Sequence, residues 1–227
     1  MLAISLTTIL EQVAAEAKGT KNLSGNISDF EALMEPTNLA ALGSAVDAFG
    51  YLAFHPGADQ AVRRYVEEGT LASDSGRQIL TLFSLGERAT WPRVVNEQSF
   101  GAWLQLDTSV HPAYEMVRWL FEPYPAPPLP GLALFDSLVG DDEVVYVPLD
   151  AAADPAAVRA QLRRVFALAQ EALVQGVFAD RLGAALQRER MAYARSGRKS
   201  IREVLIRSSQ VVDDRISDIA AVAGLAV

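Results

Sequence analysis

The chain has no cysteine, so disulfides, thiolate metal sites, iron–sulfur clusters and cysteine nucleophiles are all excluded. It has only two histidines, His55 and His111, and every histidine-dependent mechanism has to run through one of them. The fingerprints GxGxxG, HExxH and GxSxG are missing, as is a GxxxxGK followed by Ser or Thr, which removes the common nucleotide-binding, zinc-protease and serine-hydrolase geometries. Long apolar runs are lacking too: the longest, Leu39 to Phe54, is too short for a membrane span and carries Asp47. The segment Met1 to Leu10 is apolar, but no basic region precedes it and it runs into Glu11 and Glu16, so a signal peptide is not expected and the chain is read as cytoplasmic. Lysine is scarce. All of the 20 bases except Lys18, Lys21 and Lys199 are arginine, which with abundant alanine fits a GC-rich bacterial coding bias.

What is present is the material of a folded core. Of 227 residues, 50% are apolar and 21% charged, and a chain of this length buries roughly 70% of its unfolded surface. Acids outnumber bases by 28 to 20, a net charge of −8, which argues against a general nucleic-acid coater or an anionic-membrane binder.

Periodicity and punctuation predict an α+β protein, rich in helix, with a small, mostly antiparallel sheet in the middle and a helical C-terminal segment. Helices are expected over 5–18, 29–34 and 37–54, with a polar loop at 20–28. Pro56 opens a helix that continues from Gln60 to Glu68. Gln78 to Leu85, short, apolar and bounded by glycines, fits a buried strand as well as a helix; Phe100 to Asp107 reads as a strand, and His111-Pro112 opens a helix through Phe121. The stretch PYPAPPLPG has five prolines in nine positions and is an extended connector. Leu132 to Val139 and Glu143 to Leu149 flank Gly140-Asp141-Asp142 as a hairpin. Beyond Asp154-Pro155 the chain reads as helix throughout: one helix to Gly176, a second from Phe178 to Gly197, and a third whose Leu205, Val212 and Ile219 are spaced by seven with Ile216 beside them. Residues 1–150 are read as an α+β domain and 151–227 as a helical segment packed on it or on another subunit. A faint echo relates 49–87 to 100–141, with LTLF recurring as LALF; either a duplication or reused punctuation produces it.

Charge is segregated. Arg181, Arg188, Arg190, Arg195, Arg198, Lys199, Arg202 and Arg207 face only Glu189 and Glu203 in their stretch, whereas Asp136, Asp141, Asp142, Glu143, Asp150 and Asp154 fall together without a base. Arginine forks suit phosphate or carboxylate, so Arg188, Arg190, Arg195, Arg198 and Lys199 are candidate ligand-binding residues. The same stretch also suits a solvated helical face, or docking on the acidic hairpin of this chain or of a neighbouring copy. The acidic residues would suit Mg²⁺ or Ca²⁺ ligation, but Asp141-Asp142 also suits a tight turn and Asp154 a helix N-cap, so no metal or other cofactor is assigned. Each histidine precedes proline at a helix start, where a neutral imidazole would serve as a base or simply cap the turn. Trp91, Trp103 and Trp119, with Phe100 and Phe121, supply core area or line an apolar cleft.

No catalytic constellation is visible, and the expected function is non-enzymatic: a protein-interaction or assembly component, joining a protein partner or further copies of itself. Its interface is expected on Leu205, Val212, Ile216, Ile219, Arg195, Arg198 and Arg202. Recognition of a phosphate ligand or nucleic acid by residues 181–207 is the alternative, and a carboxylate-dependent metal enzyme the third reading. No membrane partner is expected.

Overall fold

A computed structural model describes residues 3–4, 23–27, 36–55, 57–84, 112–174, 176–210 and 219–223. Alternating apolar positions on the strands of its central sheet feed two cores, one on each face. On β3 (Ala48–Ala53), Phe49, Tyr51 and Ala53 enter one core while Ala48 and Leu52 enter the other. On β5 (Gly131–Phe135) and β6 (Asp141–Pro148) the split is repeated by Ala133, Phe135, Val144 and Tyr146 against Leu132, Leu134, Val145 and Val147. The first face is covered by α1 (Pro36–Ala45), α4 (Pro112–Phe121) and α7 (Ile201–Gln210). The second is covered by α2 (Gln60–Glu67), α3 (Leu71–Ser75), α5 (Pro155–Ala172) and α6 (Phe178–Arg188).

Among the described residues the sheet has eight strands in the order β1-β2-β8-β4-β3-β5-β6-β7, completed by β1 (Ala3–Ile4), β2 (Leu23–Ile27), β4 (Ile79–Ser84), β7 (Ala194–Ser200) and β8 (Ile219–Ala223). Of these described pairs β1–β2 and β3–β4 are parallel, and the remaining neighbours are antiparallel. The fold is α+β, as composition and periodicity predict. The LTLF and LALF segments become β4 and β5, the two neighbours of β3.

Several boundaries differ from the sequence reading. The helix expected over 37–54 stops at Ala45, and the following residues form β3, which is buried on both faces and therefore shows no polar alternation to mark it as a strand. Residues 23–27, expected as loop, form β2, whose pairing with β8 rests on backbone partners rather than on an apolar pattern. The second C-terminal helix ends at Arg188 and not at Gly197. Met191 N donates to Leu186 O at 3.0 Å and Arg190 N to Gln187 O at 3.0 Å, a Schellman closure with Arg190 at φ 57° in the left-handed slot where glycine is the usual signal. The next residues form β7. Ile219, expected on the third helix, lies instead on β8 opposite Ser84. One sheet thus receives strands from both sides of residue 150.

Other expectations hold. Asp154 caps α5, its Oδ1 accepting from Ala157 N at 2.8 Å, and Val158, Leu162, Val165, Phe166 and Ala169 are buried along that helix. Residues 122–130 carry neither helix nor strand, and the Glu122–Pro123 and Leu129–Pro130 peptide bonds are cis. The expected elements at 5–18, 29–34 and 100–107 lie outside the described residues.

Candidate interaction edge

The basic cluster and the acidic hairpin of the sequence meet in the β6–β7 ladder. Asp141 stands opposite Ser200, Asp142 opposite Lys199 and Glu143 opposite Arg198, and the register shifts between Glu143 and Val145. Ser196 is buried at this irregularity: its Oγ accepts from Val144 N at 3.0 Å and donates to Gly197 O at 2.7 Å, satisfying a backbone donor that the bulge frees from the ladder. Arg195 forks onto Glu143, with Nε to Oε1 and Nη2 to Oε2 both 2.7 Å, and Nη2 also reaches Asp180 Oδ1 on α6 at 2.8 Å. The Glu143 hydrogen bonds first, and those of Asp180 second, hold the guanidinium still more firmly protonated than usual.

β7 is the last strand of the sheet. Among the described residues no strand pairs with the side of β7 that faces away from β6. Around that edge Arg198 is exposed and Lys199 half-buried, while Arg188 and Arg190 stand exposed at the end of α6. Arg202 is half-buried on α7. Leu205 is 1% exposed and packs with α7 against α4, so this part of the apolar seam is consumed inside the chain. Val212 and Ile216 lie outside the described residues.

The remaining candidates take structural places. Asp142 Oδ2 accepts from Asp136 N at 2.8 Å and Ser137 N at 3.0 Å, closing the hairpin. Burial, reinforced by the neighbouring Asp142 carboxylate, pushes the Asp136 carboxyl up to about 6. Asp150 Oδ1 accepts from Ala152 N at 2.9 Å in the following turn. Among the described residues no three His, Cys, Asp or Glu side chains gather to hold a metal ion. His55 Nδ1 accepts from Gly57 N at 3.1 Å and Ala58 N at 3.2 Å, and His55 N donates to Asp59 Oδ2 at 2.7 Å, so His55 organises the turn into α2. Burial pushes the Asp59 carboxyl up, against the lowering effect of that backbone hydrogen bond. His111, Trp91, Trp103 and Phe100 lie outside the described residues, whereas Phe121 is buried in the first core and Trp119 is partly buried against that core.

Sequence reasoning does not find Asp180 as a partner of Arg195, nor Asp74, whose carboxylate takes Arg159 Nε at 2.9 Å and the Tyr65 hydroxyl at 3.2 Å and ties α3 to α5. Arg159 and Asp74 are 85 residues apart and Arg195 and Asp180 are 15 apart, and no local spacing signals either pair. Among the described residues no helix is long and apolar enough to cross a membrane. Comparison with known proteins gives no match, whether to a family model, to a curated protein or to a solved structure.

Proposed function

We propose that the protein is a cytoplasmic, non-enzymatic interaction component that takes an extended acidic segment of a partner onto the outer edge of β7. The observation that carries this reading is the open edge of β7 beside Arg198 and Lys199. Strand addition supplies main-chain hydrogen bonds, and alternate side chains supply specificity. The inner side of β7 already accepts an acidic strand, since Asp142 and Glu143 face Lys199 and Arg198, which supports the same chemistry for the outer side. Self-pairing of β7 across a two-fold axis would set these bases against their own copies, so an acidic partner is favoured over a second copy. Basic side chains on an edge strand also guard against aggregation, and that role alone requires no partner.

The second reading, a phosphate-bearing ligand or nucleic acid, is supported by the exposure of Arg188, Arg190 and Arg198. It loses Arg195, whose guanidinium is already engaged by two carboxylates. A titration with a labelled peptide of alternating Val and Glu, run beside a single-stranded oligonucleotide, separates the two. The peptide is expected to bind, its binding to weaken with salt and to be lost in the Arg198→Glu/Lys199→Glu variant. Oligonucleotide binding without peptide binding would transfer the function to the second reading.

A further inference from the structure

A second surface, independent of β7, lies on the connector between α4 and β5. Every residue from Tyr124 to Leu129 is a proline or immediately precedes one. Proline fixes φ near −65°, and the residue before it is driven to extended ψ, so between the bends at Tyr124 and Leu129 the residues Pro125 to Pro128 favour polyproline II geometry, with three residues per turn. The burial follows that period. Ala126 and Leu129, three apart, pack on the core, while Pro125 and Pro128, also three apart, are exposed, and Tyr124 is 70% exposed. The Tyr146 hydroxyl donates to Pro128 O at 2.8 Å and fixes the segment to β6. The carbonyls of Pro125, Ala126 and Pro127 accept no hydrogen bond from the described residues. Next to the strip, Arg118, Trp119, Glu122, Pro123 and Tyr124 line a shallow cavity of about 140 Å³, room for one ring-sized side chain.

We propose that Pro125 and Pro128 form a docking strip for a partner domain whose groove is lined with aromatic side chains and accepts a polyproline II segment. The periodicity makes this more than a spacer: one face of the turn anchors the strip and another presents two prolines on a rigid ridge. Because the core holds the strip in its bound geometry, association costs less conformational entropy than binding of a free proline-rich peptide. The open carbonyls are the acceptors that indole or phenol donors of such a groove require.

The test is a titration of the full, ¹⁵N-labelled chain with a panel of isolated SH3, WW and EVH1 domains. At least one domain is expected to bind, with shift changes confined to Arg118 to Leu129, and the Pro125→Ala/Pro128→Ala variant is expected to bind at least about tenfold more weakly. A peptide of residues 122–131 should compete, which keeps the test decisive if the double variant is less stable. Absence of binding across the panel, shifts elsewhere on the chain, or binding unaltered in the double variant would overturn the proposal. None of these outcomes bears on the edge of β7.

Discussion

Arg195 grips Glu143 across the β6–β7 ladder with two parallel hydrogen bonds of 2.7 Å, linking residues 52 apart in sequence. The third contact, to Asp180, ties the same guanidinium to α6, so one side chain joins an edge strand, its neighbour and a covering helix. The pair is partly exposed, with side-chain accessibility near 30% on both sides, and exposed ion pairs contribute little unless they are forked or networked. A double-mutant cycle with Arg195→Gln and Glu143→Gln should give a coupling of about 1 kcal/mol that shrinks at high salt. Zero coupling at low salt would show the fork to be ornamental.

Leu205 packs inside the chain rather than on a partner. Leu205→Ala is expected to lower stability by about 3 kcal/mol and to leave the molar mass in solution unchanged. Denaturant unfolding and light scattering on the same sample check both halves, and a change of mass at unchanged stability would return the residue to an interface.

Thr81 sits at the middle of β4 opposite Gly50, fully buried, and its hydroxyl has no hydrogen-bond partner among the described residues. Thr81→Val keeps the shape and removes the desolvated hydroxyl, so a gain of about 1 kcal/mol is expected in chemical denaturation. A loss would mean that the hydroxyl is satisfied in solution.

The raised Asp136 carboxyl makes stability depend on pH. Because the folded chain holds this proton up to about pH 6 and the unfolded chain releases it near pH 4, the folded state binds more protons between these values. Stability from this group is complete below pH 4 and is lost as pH rises through about 6. Asp136→Asn should therefore be neutral at low pH and stabilising above pH 6, by about 1 kcal/mol after solvent screening at this partly exposed turn. A variant curve parallel to the wild type across the whole range would contradict this.

What the sequence makes legible is the part fixed by local chemistry. Asp154-Pro155 announces the start of α5, Pro112 opens α4, and five prolines preclude regular structure before Gly131. Strand β3 is hidden because burial on both faces erases alternation. Strand β7 is hidden because its residues, ARSGRKS, look like a polar helix face, and Arg190 occupies the left-handed position where a glycine would have marked the helix end. The meeting of the basic and acidic segments can be anticipated from charge alone. That the meeting is a ladder within one chain, with Glu143 rather than Asp141 taking Arg195, depends on strand register, which no local pattern states.

Amide hydrogen exchange on the full chain, with and without the alternating Val–Glu peptide, tests the central claim most directly. Strand addition predicts slower exchange at the outward-pointing amides of residues 194–200, reversed by salt and absent in the Arg198→Glu/Lys199→Glu variant. Unchanged exchange in β7 at peptide concentrations that saturate binding, or protection confined to another strand, would contradict the account.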